Sequence, residues 1–490
     1  MFLLAFDLGT SALKSTLIHQ SGKAAASASF SYPTQMHEGG EAQQDAERWW
    51  QGVCETSRKL LSEYPEEMKQ IAAIGVSGHM LGCLPLDKTG SPLHPAMIHS
   101  DHRAAFESEM INREIGRDTL YQRTGNVLDP RSSLCKVLWL KHNQPQIYAK
   151  TALFVQAKDF IVGRLTGNID TTDYSDASHA QWIDISKKEY LGDIFSSLSI
   201  DIQKFPQLYR GTDIVGHVSQ AAAAATGLKM GIPVVAGGGD GACANIAAGL
   251  VHTDDVYCSL GTTAWIAFNS DRPLIDPQQR VFNIMSLDGD TYGVFGTMQN
   301  AGKAVSWAVN AFAFDNPKNL DQAAAGVPAG SDGMIFLPYL DGERSPVFDP
   351  DASGVFFGLS GTHQRGHFAR SVLEGTAYAL RSIFDVFTLR TDLTDMRLIG
   401  GGARSDVWRQ ILADVMSVNL WTLSIPAADA TSIGAALAAG AGIGLYADLP
   451  AAAALIKTAQ QTCPDSSCKA VYNQRYAVYQ QLYPSLKDLF

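Results

Sequence analysis

Residues 235–241 read Val235-Ala236-Gly237-Gly238-Gly239-Asp240-Gly241, a short apolar strand running into three glycines and one acid. Glycines at such a turn let backbone N–H groups come close to a ligand, and Asp240 sets one carboxylate at the mouth of the loop. The combination suits a base placed beside a phosphate. Three more glycine turns follow apolar runs: Asp7-Leu8-Gly9-Thr10-Ser11, Ser259-Leu260-Gly261-Thr262-Thr263 and Ile399-Gly400-Gly401-Gly402-Ala403-Arg404-Ser405. One Gly-Thr turn alone reads as an ordinary hairpin. Four such turns beside well-placed acids read as phosphate and nucleotide contacts gathered from distant parts of one chain.

Working outward, residues 2–7 and 13–18 flank the first turn as a β-hairpin, and 23–32 supplies a third strand. Trp49, Trp50, Val53, Leu60 and Leu61 recur at near-helical spacing, which predicts a long helix over 45–64, and 71–76 returns as a buried strand. The second half repeats this order with strands at 256–259 and 264–268 around its own Gly-Thr-Thr turn and later strands near Tyr292 and Met334. A chain of 490 residues exceeds what one hydrophobic core usually supports. The repetition therefore predicts a duplicated α/β chain with domains at 1–244 and 245–490, a seam soon after Asp240, and ligands in the cleft between the halves. Helices are expected over 366–388, 406–418 and 431–441, the last rich in small residues, and the tyrosine stripe of 471–489 reads as core packing.

Composition narrows the function. A hydrophobic fraction of 46% with 18% charged residues fits a globular enzyme, and a formal charge of -11 argues against nucleic acid or an anionic membrane as partner. The seven cysteines lack metal-ligand spacing and read as reduced thiols, Cys463 and Cys468 included. The first apolar run has no basic region before it and is broken by Asp7, and the stretch 433–447 is short and rich in Gly and Ala, so the expected location is cytoplasmic.

An ATP site needs backbone N–H groups for phosphates, a carboxylate for hydrated magnesium and a shaped surface for adenosine. Gly9, Thr10, Ser11, Gly261, Thr262 and Thr263 are candidates for the first, Asp7 with Asp240 for the metal, and Gly401, Gly402, Ala403 and Ser405 for the third, with Gly302 added to the nucleotide set. Lys14 either neutralises a phosphate as a point charge or is a solvated lysine on a hairpin edge. Phosphoryl transfer to an alcohol also asks for an acceptor of the hydroxyl proton, and Asp240 is the candidate base; its alternative role is to cap a helix beginning near Ala242. Two segments can hold the alcohol: Ser77-Gly78-His79-Met80-Leu81-Gly82, with His79, Met80 and Leu81, and Asp101-His102-Arg103. Asp101 either binds sugar hydroxyls with Arg103 locking it, or forms a purely structural pair with Arg103. The spacing of His79, His99 and His102 matches no standard metal-ligand set.

With these residues in place, the chain resembles the FGGY family of carbohydrate kinases, and within it the xylulokinases, over nearly its whole length. Its four turns look like the family's two phosphate motifs, catalytic loop and adenosine motif, in the family's order. Gly354, Phe356, Gly358, Leu359, His367, Phe368, Ser371, Val372, Leu373 and Glu374 fit the carboxy-terminal signature, and Lys136 with Trp139, Lys158-Asp159, Asp173, Ser175 to Ser178 and Asp341 to Pro346 are further family-like stretches. The resemblance implies two ribonuclease-H-like domains of the kind shared with actin, Hsp70 and hexokinase, around a central cleft. It also implies ATP held mainly by the second domain, sugar by the first, magnesium, a cleft that closes, Asp240 as base, and compatibility with a homodimer.

The resemblance makes transfer from ATP to a terminal hydroxyl of D-xylulose the leading activity, with L-xylulose, ribulose, gluconate or a polyol as alternative acceptors. Xylulokinases typically carry Gln-Met-His-Gly where this chain has His79-Met80-Leu81-Gly82, and Trp where it has His99. Losing the imidazole at 81 removes a sugar hydrogen bond that His79 can replace. An actin-like or Hsp70-like nucleotide switch is the reading from another class, and the carboxy-terminal signature with the two acceptor segments speaks against it.

Overall fold

Two seven-stranded sheets built to one plan occupy the two halves of the chain in a computed structural model that describes residues 1–388 and 391–490. The first sheet runs Ile214–His217, Pro233–Val235, Ile71–Gly78, Phe2–Leu8, Ala12–His19, Ala24–Ser31, with Gly238–Gly239 pairing to the end of Ile71–Gly78. The second runs Phe282–Met285, Tyr292–Met298, Ala264–Ser270, Val256–Leu260, Asp395–Ile399, Asn419–Leu423, Thr458–Thr462. In each, the strand that feeds a Gly-Thr turn pairs antiparallel with the next strand and parallel with a later one. Phe2–Leu8 does so with Ala12–His19 and Ile71–Gly78, and Val256–Leu260 with Ala264–Ser270 and Asp395–Ile399. These feeding strands are central and almost wholly buried, which is why they read as unbroken apolar runs.

The helices follow their apolar periodicity. Asp45 caps Ala46–Glu63 by accepting from the Glu47 N–H at 3.0 Å, and the helix buries Trp49, Trp50, Val53 and Leu60. The tyrosine stripe of Lys469–Leu486 packs into the second core: Tyr472, Tyr476 and Tyr479 are buried around Tyr378, and the Tyr479 hydroxyl meets that of Tyr339 at 3.0 Å.

Two helices of small residues join the halves. Asp240–Ala248 leaves the end of the first sheet, and Ala430–Gly442 comes from the far end of the chain. A Cβ on Gly434 would lie 1.8 Å from the Cys243 carbonyl oxygen, and one on Gly75 would lie 2.1 Å from that of Ala435. Ala430–Gly442 is thus pressed at backbone distance against Asp240–Ala248 on one side and against the first sheet on the other. A single apolar core runs through them, from Leu3, Ala5 and Ala73 to Tyr257, Ala267 and Ile399. The first sheet ends at Gly239 and the second begins at Val256, so Asp240–Ala248 spans the expected 244/245 seam. Among the described residues no helix is long and apolar enough to cross a membrane.

Backbone-distance packing predicts that Gly434→Ala destabilises the fold, although alanine is the better helix former, because the Cys243 carbonyl has no room to retreat. Overpacking of this kind costs about 1–3 kcal/mol, and chemical denaturation of the two proteins measures it.

Candidate active site

The two Gly-Thr turns meet across a cavity of about 420 Å³ at the cleft between the halves. Thr10 and Thr263 reach it from the two hairpins, Asp240, Gly241 and Ala244 from the first turns of one crossing helix, and Thr431 from the start of the other. Turn geometry explains why these segments serve a ligand. Gly9 N–H closes its turn onto the Ala12 carbonyl, and Gly261 N–H onto that of Thr263, both at 3.0 Å. The N–H groups of Thr10, Ser11, Thr262 and Thr263 then donate to no protein group among the described residues, which leaves four donors open in the two turns, with Thr10 and Thr263 at the cavity.

Asp240 is the first residue of its helix, with Gly239 in the capping position, and its carboxylate accepts from the Gly241 N–H at 2.7 Å. Burial pushes its pKa up to about 6. Asp7, at the end of Phe2–Leu8, is pushed up to about 7, by burial first and then by the nearby Asp240 charge. The two carboxylates therefore share one electrostatic environment.

Lys14 stands opposite Asp7 in the hairpin register, yet its ammonium reaches the Asp429 carboxylate and the Ala428 carbonyl, the latter at 3.1 Å. It ties the first hairpin to the segment that begins the second crossing helix. The ammonium expected either to neutralise a phosphate or to stand solvated at a hairpin edge is here engaged by Asp429 and Ala428.

Among the sugar-segment residues, His79, Met80 and Leu81 all line the cavity. His79 is only 2% exposed, and both ring nitrogens lack a partner. Burial holds its pKa at about 3, so the imidazole is neutral and presents one donor and one acceptor. Trp49 packs edge-on against it at 5.4 Å. Leu81 sits at φ 58, a left-handed conformation that a leucine rarely adopts, with its carbonyl turned to the buried Lys136. The Lys136 ammonium donates to Leu81 O and Ile98 O, each at 2.7 Å, and so clamps the two acceptor segments together.

Asp101 does not line the cavity. It is 0% exposed, and its carboxylate is taken up by the Arg103 guanidinium and by the Ala42 N–H at 2.7 Å. The ion pair with Arg103 is what the structure forms, and no oxygen remains exposed for a sugar. Two nucleotide candidates, Gly302 and Ser405, are likewise occupied, and a third, Gly402, is closely packed. Gly302 donates its N–H to the Gly261 carbonyl at 2.9 Å and is glycine because a Cβ would lie 2.5 Å from that oxygen. Gly402 packs against Leu260, and Ser405 caps Asp406–Met416 by accepting from the Trp408 N–H. Gly401 and Ala403, with Arg404, Ile425 and Ala428, line a separate cavity of about 660 Å³. Ala428 borders that cavity and Thr431 the smaller one, so a single short segment divides them.

The wall facing His79 was not foreseen. Trp265, Phe282 and Phe295 come from the second sheet, with Phe282 stacked between Phe295 and His179, and a strand aromatic carries no signal separating cavity wall from core. His99, His179 and Arg344 complete the wall; Arg344 lies in a stretch marked only by the family resemblance, and His179 directly follows another.

Residues 2–247 match the N-terminal domain, and 256–443 the C-terminal domain, of the FGGY family of carbohydrate kinases. The chain belongs to that family. It is 31% identical to the xylulose kinase of Bacillus subtilis over 491 aligned residues, covering 100% of this chain and 98% of the relative. It is also 29% identical to the gluconokinase of the same organism over 427 residues, covering 84% of this chain and 82% of the relative. The crystal structure of a xylulose kinase from Rhodospirillum rubrum superposes with a TM-score of 0.92 at 29% identity, over 100% of this chain and 99% of that one. This FGGY kinase accordingly has the actin/hexokinase-like α/β fold, acts on a small-molecule sugar and uses ATP as phosphate donor.

The raised pKa of Asp240 has a stability consequence with a definite sign. Between the ordinary aspartate value near ~4 and about 6, the folded protein binds the proton that the unfolded chain has lost, so stability falls as pH rises through that window and stays lower above it. Asp240→Asn removes the penalty. Thermal melts should show the variant more stable than wild type at pH 7.5 and equal to it near pH 4.

Proposed function

We propose that this FGGY kinase transfers the γ-phosphate of ATP to the terminal hydroxyl of D-xylulose, giving D-xylulose 5-phosphate, with Asp240 as the base. The observation that carries this reading is the shared cavity. It is lined by an ionisable carboxylate, by a neutral histidine with both ring nitrogens unpartnered, and by Thr10 and Thr263 of the two Gly-Thr turns. His79 and Met80 contact the sugar, and His79 supplies the hydrogen bonds that an imidazole at 81 would make. Leu81 leaves the adjoining wall apolar.

Each residue then has a task. The open amides of Thr10, Ser11, Thr262 and Thr263 hold the phosphates, and Gly401, Ala403 and the surrounding larger cavity take the adenosine. Asp240 accepts the hydroxyl proton as the sugar oxygen bonds to the γ-phosphorus and the bond from that phosphorus to the β-phosphate oxygen breaks, releasing ADP. A positioned carboxylate in that role is worth about 10²–10⁴-fold. Asp7 and Asp240 would hold a hydrated Mg²⁺. Two carboxylates, one raised by the charge of the other, fit an ion that keeps several waters and takes its remaining oxygens from phosphate, and the ion would neutralise phosphate charge. Lys14, held by Asp429, keeps the second crossing helix against the first hairpin rather than meeting phosphate itself.

A sugar acid is the second reading, and Arg344 is the observation for it. Its guanidinium borders the cavity and, among the described residues, has no carboxylate within salt-bridge distance. If gluconate is the substrate, Arg344→Gln abolishes its turnover and spares any activity on D-xylulose.

ADP release from Mg-ATP, measured with a panel of ketoses, polyols and sugar acids, tests the assignment directly. D-xylulose is expected to give the highest kcat/KM, and a panel led by another compound would move the substrate. Asp240→Asn should lose nearly all transfer while nucleotide affinity stays within about twofold, whereas His79→Ala should raise KM for the sugar by about 10–100-fold, the cost of about 1–3 kcal/mol of lost hydrogen bonding. Because the base must be ionised, kcat/KM should fall tenfold per pH unit on the acid side of an apparent pKa near 6. A profile flat down to pH 5 would remove Asp240 from that role.

A further inference from the structure

One buried charge cluster has no part in the chemistry above. The Lys158 ammonium lies 3.0 Å from Asp173 and 3.4 Å from Asp176, with Asp159 in closer contact, and no side chain of the four is more than 1% exposed. One cation faces three acids. Both Asp176 oxygens lack a hydrogen-bond partner, and burial, ahead of the neighbouring charges, pushes this carboxyl well above the usual range. Burying ions costs several kcal/mol each, so a cluster of this kind is a poor source of stability. What it does supply is fixed geometry.

That geometry leads to the catalytic loop. Asp173 caps the short helix Tyr174–His179, accepting from the Ser175 N–H at 2.8 Å and the Asp176 N–H at 3.3 Å. The Ser175 hydroxyl accepts from the N–H of Gly239, the residue before Asp240, at 3.0 Å. Further along the same helix, the Ser178 hydroxyl accepts from the Met285 N–H of the second sheet at 3.0 Å, and His179 lines the cavity. The Lys158 backbone also abuts the sugar segment: a Cβ on Gly78 would lie 3.0 Å from the Lys158 main-chain nitrogen, and Gly78 pairs with Gly239 and precedes His79.

We propose that Ser175 is a positioning residue for the base, its hydroxyl holding the Gly239 amide so that the Asp240 carboxylate faces the cleft, with the Lys158–Asp173 pair anchoring the helix that carries it. The proposal rests on Asp240 as base. A displacement of about 1 Å at a reacting group costs as much as 10²-fold in rate. The effect of Ser175 must therefore pass through Asp240 and vanish when the base is gone.

The test is a double-mutant comparison with the sugar the wild type turns over best. Ser175→Ala should lower kcat by about 10–100-fold with KM for ATP within about twofold of wild type. In the Asp240→Asn background, followed by single-turnover measurements over hours, the same change should lower the residual rate less than about twofold, since residues acting as a unit are not additive. Ser175→Cys, a weaker acceptor of similar size, should fall between serine and alanine, and it carries the comparison if the alanine variant melts below the assay temperature. A wild-type kcat in Ser175→Ala, or an equal fold-loss in both backgrounds, overturns the proposal. Full turnover in Asp240→Asn alone removes the base assignment and the proposal with it, an outcome read independently of any Ser175 variant.

Discussion

The close crossing of Asp240–Ala248 and Ala430–Gly442 is the constraint on which the rest of the structure depends. Helices usually pack 8–10 Å apart because side chains stand between them; here Gly434 lies directly over the Cys243 carbonyl, so the backbones touch. The contact fixes where both helices begin. Asp240 opens one, Thr431 stands in the first turn of the other, and both line the same cavity. Helix N-termini carry partial positive charge and unsatisfied N–H groups, so this crossing brings two anion-favouring ends to the place where the hairpin turns also leave their amides open.

Against that positive lining the site sets groups whose charge is held in check by burial. Asp7 and Asp240 hold protons more tightly than exposed aspartates, and His79 is kept neutral. Lys136, buried between the two acceptor segments, spends its donors on the Leu81 and Ile98 carbonyls. Burial lowers its pKa to about 8, yet it remains mostly charged at neutral pH and acts as a crosslink between loops. The cleft is thus built from cations that position backbone and acids that face the ligands.

Local features of this design were legible in the sequence, and long-range ones were not. The hairpins, the duplicated order and the four glycine turns are patterns within a few residues, and they appear where spacing put them. Small residues over 431–441 announced a closely packed helix but not its partners, because a glycine does not say which carbonyl it approaches. Lys14 was readable as a cation beside a phosphate turn, while Asp429, its partner, is 415 residues away. Asp101 and Arg103 showed an acid and a base two apart, and only coordinates tell that every lone pair of the carboxylate is spoken for. Gly302, Gly402 and Ser405 were candidates for nucleotide contact, yet Gly302 answers to the Gly261 carbonyl, Gly402 to the Leu260 and Trp408 side chains and Ser405 to the Trp408 amide. Trp265, Phe282 and Phe295 were hidden because an aromatic in a strand looks the same whether it faces core or cavity.

The seating of Ala430–Gly442 on the first sheet also sets an order of events in the cell. Phe2–Leu8 and Ile71–Gly78 leave the ribosome well ahead of Ala430–Gly442, the helix that covers them, with the 351 residues from 79 to 429 between. At about 5–20 residues per second, the wait is tens of seconds. Through that interval the face formed by Leu3, Ala5 and Ala73 stands uncovered, and an apolar face of that kind is what chaperones hold. The first sheet of this kinase therefore gains the last cover of that face only when the late helix arrives, and the same helix brings the second half into the shared core.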